Sequence, residues 1–96
     1  MVMTILEAQV LPQNVTLLKS AYAAAIQQLE AGMVETFLAS DAKNPALWRI
    51  LTVWKDRQAL DAMRSSGQTP RGVLIFREAA AEPSLSVLDV AAHSAV

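Results

Sequence analysis

The segment Leu47–Met63, "LWRILTVWKDRQALDAM", changes its hydrophobic spacing in the middle. Up to Trp54 the side chains alternate, which is typical of a β-strand, and both tryptophans of the chain fall on the same side of that strand. After Asp56, a residue type that caps helices, apolar side chains recur every three to four residues and predict a helix from Arg57 to about Ser65. The remaining elements are predicted outward from this strand and helix.

Two strands and a helix are predicted before this segment. "TILEAQVL", residues 4–11, alternates as a strand does, and Pro12 ends it. Asn14 suits a helix N-cap, and the apolar positions that follow predict a helix up to about Leu29, with Gly32 just past its end. "MVETFLAS", residues 33–40, predicts a second strand that forms a hairpin with the tryptophan strand.

The C-terminal third predicts a further element and a last strand. In "QTPRGVLIFREAAAEP", residues 68–83, the "VLIF" run fits a buried strand or a buried helix, and the pair Thr69–Pro70 favours a short helix. "SLSVLDV", residues 84–90, predicts the last strand, and residues 91–96 are expected to be a frayed tail. The order predicts an α+β class: a single ferredoxin-like split βαββαβ domain over residues 1–96, with a four-stranded antiparallel sheet.

Composition narrows the possible functions. The 96 residues are 53% hydrophobic and 18% charged, against about 25% charged in an average soluble domain, so an oligomer interface is expected. With a net charge of −1 and no basic cluster, we expect no nucleic-acid partner. The absence of cysteine excludes disulfides and thiolate metal sites. Neither a signal peptide nor an apolar run of about 20 residues is recognisable, so we expect a cytoplasmic protein with no membrane partner.

The sheet is expected to have one face without helices. If Leu51 and Val53 pack under the helices, then Trp48, Ile50 and Trp54 lie on the uncovered face. Burying an aromatic side chain contributes about 2–3 kcal/mol, so an uncovered indole pair favours a second subunit. The sequence therefore predicts a homodimer whose sheets meet face to face, with the tryptophans between them.

Two stretches resemble a known family. "GM" at Gly32–Met33 and "ILTVWKDRQAL" at Ile50–Leu60, together with the order of elements from Thr4 to about Ala91, resemble the antibiotic biosynthesis monooxygenase (ABM) superfamily of dimeric α+β barrels. The resemblance implies two ferredoxin-like subunits that pair into a barrel. It also implies a pocket between each subunit's sheet and helices or within the barrel. Known members oxidise aromatic polyketides without a cofactor, handle quinols, or open haem.

Departures from the family pattern argue against haem. The haem-degrading branch needs an asparagine, a tryptophan and a histidine, and the matching positions hold Glu7, Met63 and, for the histidine, a residue near Val73. His93, the single histidine, lies in the tail. We therefore expect no haem, no other cofactor and no metal site. In the polyketide-oxidising branch Trp54 matches, whereas an asparagine expected four residues earlier is Ile50.

Candidate site residues follow from the expected barrel interior. Glu7 is the candidate catalytic base, since a carboxylate in an apolar cavity can take a phenolic proton. The alternative is that Glu7 pairs with Arg49 or Arg71. Trp54 would stack on a flat substrate, or else only pack in a dimer core. The other candidate substrate-binding residues are Gln9, Tyr22, Thr52 and Met63.

Two functions remain open from the sequence. One is an ABM-like monooxygenase that oxidises a small aromatic or quinol-type metabolite without a cofactor. The other is a non-catalytic homodimer that binds a small apolar ligand or serves as a structural protein.

Overall fold

The computed structural model describes residues 1–95. Its strands pair in the order β2-β3-β1-β4, and every neighbouring pair is antiparallel. This arrangement confirms the predicted ferredoxin-like α+β class. The elements in chain order are β1 (Val2–Gln9), a 3-10 turn (Pro12–Asn14), α1 (Val15–Ala25), β2 (Met33–Ser40), β3 (Leu47–Trp54), α2 (Arg57–Arg64), α3 (Arg71–Glu78) and β4 (Ser84–Asp89).

The helix ends follow mostly from local chemistry. The Asp56 side chain accepts a hydrogen bond from the Ala59 backbone N–H at 2.8 Å, so the predicted cap of α2 is present. The ambiguous segment is helical, and α3 begins directly after Pro70. Helix α1 ends at Ala25, short of the predicted Leu29, because the backbone N–H groups of the residues after Ile26 bond only three residues back.

The core lies between the helices and one face of the sheet. Leu18, Leu60 and Phe76 point from the three helices and are fully buried. Beneath α1 and α3, Leu18 and Phe76 belong to one cluster with Ala8 and Ile50. Beneath α2, Leu60 belongs to a second cluster with Val2 and Trp54, and Trp54 is 3% exposed. The side of β3 that carries the tryptophans therefore faces the protein's own helices.

The expectation for the tryptophan face is wrong. Trp48, Ile50, Thr52 and Trp54 share the helix-covered face, and Leu51 and Val53 lie on the other side. Both sides of β3 are apolar, so alternation within that strand does not say which side faces the helices. The two indoles are not between the sheets of two subunits in this arrangement.

The opposite side of the sheet, here called the outer face, is not covered by a helix within residues 1–95. Apolar side chains occupy its middle, and on the two edge strands Phe37 and Leu88 remain 50% and 47% exposed. By strand register the outer face carries Met3, Ile5, Glu7, Gln9, Glu35, Phe37, Ala39, Leu47, Arg49, Leu51, Val53, Ser84, Ser86 and Leu88.

The segment after β4 forms neither helix nor strand over residues 90–95. The predicted tail extends to Val96, which lies outside the described residues. None of the helices in the described part of the chain is both long enough and apolar enough to cross a bilayer.

Candidate functional site

A cavity of about 140 Å³ lies between the helix-covered face of the sheet and helices α2 and α3. The sheet supplies its floor and the two helices supply its walls. Most of the lining is apolar, with charged side chains from Glu30, Arg64 and Arg71 among it. The full lining is Thr4, Leu6, Glu30, Met33, Thr52, Trp54, Leu60, Met63, Arg64, Pro70, Arg71, Gly72, Val73, Pro83 and Leu85.

The indole of Trp54 is fixed in the floor by a hydrogen bond. Its N–H donates to the hydroxyl oxygen of Thr4 at 3.0 Å, and both residues are more than nine-tenths buried. Thr4 is paired with Thr52 in the antiparallel register, so Trp54 lies diagonally across from Thr4 on the same face. A bonded indole N–H avoids the cost of burying that group alone and holds the ring in one orientation.

A row of three threonines crosses the sheet beneath the helices. Thr4, Thr52 and Thr36 are register partners on β1, β3 and β2. The Tyr22 hydroxyl donates to the Thr36 hydroxyl at 3.4 Å, just as Trp54 donates to Thr4 at the other end. The central hydroxyl, that of Thr52, makes no hydrogen bond with any of the described residues, although Thr52 is 6% exposed and lines the cavity.

Glu30 and Arg71 form a charged pair in the cavity lining. The Glu30 carboxylate lies 3.7 Å from the Arg71 guanidinium, and the two side chains are 24% and 43% exposed. At that distance the pair is a salt bridge without a direct hydrogen bond. The next residue, Gly72, lets α3 approach the sheet, because a Cβ there would overlap the end of the Leu6 side chain.

The structure brings together some of the predicted site residues. Thr52, Trp54 and Met63 line the cavity. Tyr22 instead lines a smaller neighbouring cavity of about 40 Å³, to which Thr52 also contributes. Thr4, Glu30 and Arg71 also line the cavity; no sequence pattern singled out Thr4 or Glu30, and Arg71 was predicted only as a possible partner of Glu7.

Glu7 and Gln9 lie on the outer face, as predicted from the alternation of β1, but Trp54 does not. Glu7 and Trp54 are therefore on opposite sides of the sheet and do not share a cavity within one protomer. The Glu7 carboxylate lies 3.4 Å from Arg49, its register partner, which corresponds to one of the two pairings considered as an alternative.

Arg49 also donates to Asp41 at 3.0 Å, so one guanidinium links two carboxylates. This hydrogen bond, helped by the backbone N–H groups of Lys43 and Asn44, lowers the pKa of Asp41 below its usual value. The hydrogen bond with Asp41 in turn raises the pKa of Arg49 above its usual value. Glu7, Arg49 and Asp41 thus form an ion-pair network on the surface, and none of them lines the cavity.

Fold and site together define a ferredoxin-like α+β protein with a small, mainly apolar cavity between its sheet and two helices. The chain belongs to the antibiotic biosynthesis monooxygenase family, whose profile matches residues 1–72. No curated protein sequence matches this chain.

Solved structures show the same fold across nearly the whole chain. A putative antibiotic biosynthesis monooxygenase from Deinococcus radiodurans is 11% identical, with a TM-score of 0.75 over 100% of this chain and 98% of that one. One from Bordetella bronchiseptica is 15% identical, with a TM-score of 0.73 over 95% and 97%. A mutant of SnoaB, a cofactor-independent oxygenase from Streptomyces nogalater, is 12% identical, with a TM-score of 0.70 over 96% and 94%. At these identities the likeness concerns the fold alone.

Proposed function

We propose that this protein is an ABM-like monooxygenase that oxidises a small aromatic or quinol-type metabolite with O₂, without a cofactor. The observation that carries the proposal is the cavity of about 140 Å³, which has apolar walls and an indole held in place by Thr4 at 3.0 Å. Such a cavity suits a flat apolar ring, since stacking and burial supply the affinity. Family membership supports the reaction class, and SnoaB offers a precedent for oxygenation without a cofactor on this fold.

The reaction needs a group that accepts a proton from the substrate. Among the described residues, Glu30 is the one carboxylate in the cavity lining, so we assign the role of the base to Glu30 and not to Glu7. Arg71 at 3.7 Å steadies the carboxylate and balances its charge. A positioned base of this kind typically accelerates proton transfer about 10²–10⁴-fold.

The oxidation balances with O₂ as the sole oxidant. A phenol or quinol gives its O–H proton to Glu30, and the resulting anion, whose charge is shared with the ring carbons, passes one electron to O₂. The radical pair combines to a peroxide at a ring carbon. Loss of the C–H proton at that carbon breaks the O–O bond, which leaves a carbonyl on the substrate and releases one oxygen atom, with the two protons, as water.

Haem degradation is not part of the proposal. Met63 and Val73, at the positions where the haem-degrading branch has a tryptophan and a histidine, both line the cavity. Within the described residues the lining holds no histidine, so it offers no imidazole to ligate haem iron.

The proposal includes a homodimer, with the outer face as its interface. Phe37 and Leu88 are about half exposed, and Leu51 and Val53 lie between them on β3. An apolar sheet face of this kind suits face-to-face packing with a second sheet, and barrel formation by two copies is typical of the family. The contact surface differs from the one predicted, because it is formed by the side of β3 that lacks the tryptophans.

A second candidate is a non-catalytic ligand-binding protein. The Glu30 carboxylate is already paired with Arg71. Among the described residues, the cavity lining therefore contains no unpaired carboxylate to act as a base, which favours a binding protein. Both candidates use the same cavity and differ in whether substrate and O₂ are consumed.

The test is to incubate the protein with a panel of quinols and anthrones under O₂ and to follow absorbance and O₂ uptake. We expect turnover of at least one compound, and a loss of at least about 100-fold in Glu30→Gln. Glu7→Gln is the matched control, because it makes the same change on the other face of the sheet and leaves the rate unchanged. No consumption across the panel, with ligand-dependent thermal stabilisation, would establish the binding protein instead.

A further inference from the structure

Two neighbouring hydroxyl groups form the polar part of the cavity floor. Thr4 and Thr52 are direct register partners on β1 and β3, and both line the cavity. Opposed residues in an antiparallel pair have Cβ atoms about 4.5–5.5 Å apart, so the two hydroxyls are close enough to reach one shared atom. Thr4 is 8% exposed and Thr52 is 6% exposed, so bulk water does not solvate them.

Each hydroxyl has a proton left to donate. Thr4 accepts the Trp54 indole N–H at 3.0 Å, which uses a lone pair and leaves its own O–H free for another acceptor. The Thr52 hydroxyl makes no hydrogen bond within residues 1–95. Accepting from Trp54 also polarises Thr4 and strengthens it as a donor. The floor therefore offers two donors side by side.

Most of the cavity lining around this pair is apolar, although the charged residues Glu30, Arg64 and Arg71 also contribute to it. Leu6, Leu60, Met63, Val73 and Leu85 line it and supply no hydrogen-bond acceptor comparable to an oxygen. The Thr52 hydroxyl lines the cavity and has no partner among the described residues, so a ligand oxygen placed here accepts its hydrogen bond in place of water. A carbonyl, phenolate or phenol oxygen carries lone pairs that can accept from both donors.

The volume limits the ring system. A cavity of roughly 150 Å³ is known to hold one benzene molecule, and this one measures about 140 Å³. One aromatic ring fills that space, and the remaining rings of a three-ring anthrone would lie outside it.

We propose that Thr4 and Thr52 together bind one carbonyl, phenol or phenolate oxygen of a single-ring aromatic ligand, next to the Trp54 indole. This inference rests on the proposed function only in taking the cavity as the ligand site. It narrows the substrate class to one-ring phenols and quinols, and it makes the threonine pair the determinant of where the oxygen sits.

The experiment compares phenol with toluene, which have the same ring and differ at the oxygen. Affinities are measured by calorimetric titration for the wild type, Thr52→Val and Thr36→Val. In Thr52→Val the preference for phenol over toluene falls about tenfold, as expected for the loss of one hydrogen bond. Thr36→Val, the matched control in the same threonine row but outside the cavity lining, keeps the wild-type preference.

Two further measurements complete the test. Thr52→Ser retains the hydroxyl and keeps the preference, and anthrone binds the wild type more weakly than phenol does. An unchanged preference in Thr52→Val, an equal fall in Thr36→Val, or anthrone binding as tight as that of phenol would overturn the proposal. If Thr52→Val does not fold, Thr52→Ala removes the same hydroxyl in its place, and the same fall in the preference for phenol is expected. The titrations are carried out with O₂ excluded, so binding is measured without turnover, and failure of the oxidation and failure of this inference are separate results.

Discussion

Two glycines with positive φ angles provide a matched test of how α2 packs beside the cavity. Gly32 has φ +88° and Gly67 has φ +79°. At Gly32 an added Cβ would overlap the Cβ of Ala59 in α2, whereas nothing lies near the corresponding position at Gly67. Alanine substitution therefore imposes backbone strain at both sites and a steric clash at Gly32 only.

The magnitudes separate the two variants. Left-handed backbone costs an alanine about 1–2 kcal/mol, so we expect Gly67→Ala to lower the free energy of unfolding by that amount. Overpacking adds about 1–3 kcal/mol, which gives about 2–5 kcal/mol for Gly32→Ala. In a chain of this size each 1 kcal/mol corresponds to about 4–8 °C in Tm.

Urea unfolding at one fixed protein concentration measures both effects, since the stability of the proposed dimer would depend on concentration. Adding Ala59→Gly to Gly32→Ala removes the overlapping atom and recovers the steric part of the loss, although glycine in a helix costs up to about 1 kcal/mol by itself. Equal destabilisation by Gly32→Ala and Gly67→Ala, without coupling to Ala59, would refute the packing of α2 over Gly32.

Three further outcomes are expected. The pKa of Asp41 is lowered by its hydrogen bond to Arg49 and that of Glu82 by its hydrogen bond to Arg77. Because these pKa values are lower in the folded state than in the unfolded state, the two carboxylates stabilise the fold above about pH 4. This stabilisation is lost as pH falls through the folded pKa values, so Tm decreases on acidification. In Arg49→Gln the decrease is less steep. Leu51→Asp introduces a charge on the outer face and produces a folded monomer in sedimentation equilibrium; a dimer unchanged by it would place the interface elsewhere. Trp48→Phe removes a buried indole N–H that has no partner among the described residues and lowers the free energy of unfolding by less than about 1 kcal/mol, whereas Trp54→Phe leaves Thr4 without its donor and costs about 1–3 kcal/mol. A reversed order of these two variants in urea unfolding would contradict the hydrogen bonding in the floor.

Much of the fold was predictable from local patterns. Alternation placed the four strands, the Asp56 cap placed α2, and the pair Thr69–Pro70 correctly favoured a helix for the ambiguous segment. These features depend on neighbours in sequence, where spacing and capping chemistry act directly. The end of α1 was less predictable, because the tightened turn after Ala25 depends on how the chain returns to β2.

The site was less predictable because it depends on which face meets the helices. In β1 the apolar set Leu6, Ala8 and Val10 identifies the covered face, and this places Glu7 on the outer face. In β3 both faces are apolar, so only pairing with β1 shows that Thr52 belongs with Thr4. Applying the register of β1 to β3 would have placed Trp54 under the helices and separated it from Glu7.

The most direct test of the cavity as the ligand site uses Trp54 as the reporter. In Trp48→Phe the single remaining tryptophan lies in the cavity lining, and its fluorescence is followed during titration with phenol. We expect a saturable change with one site per chain, retained when Leu51→Asp is added and the dimer is lost. Phenol binding by calorimetry without any change at Trp54, or a change that disappears with the dimer, would contradict a cavity formed between the sheet and helices of one protomer.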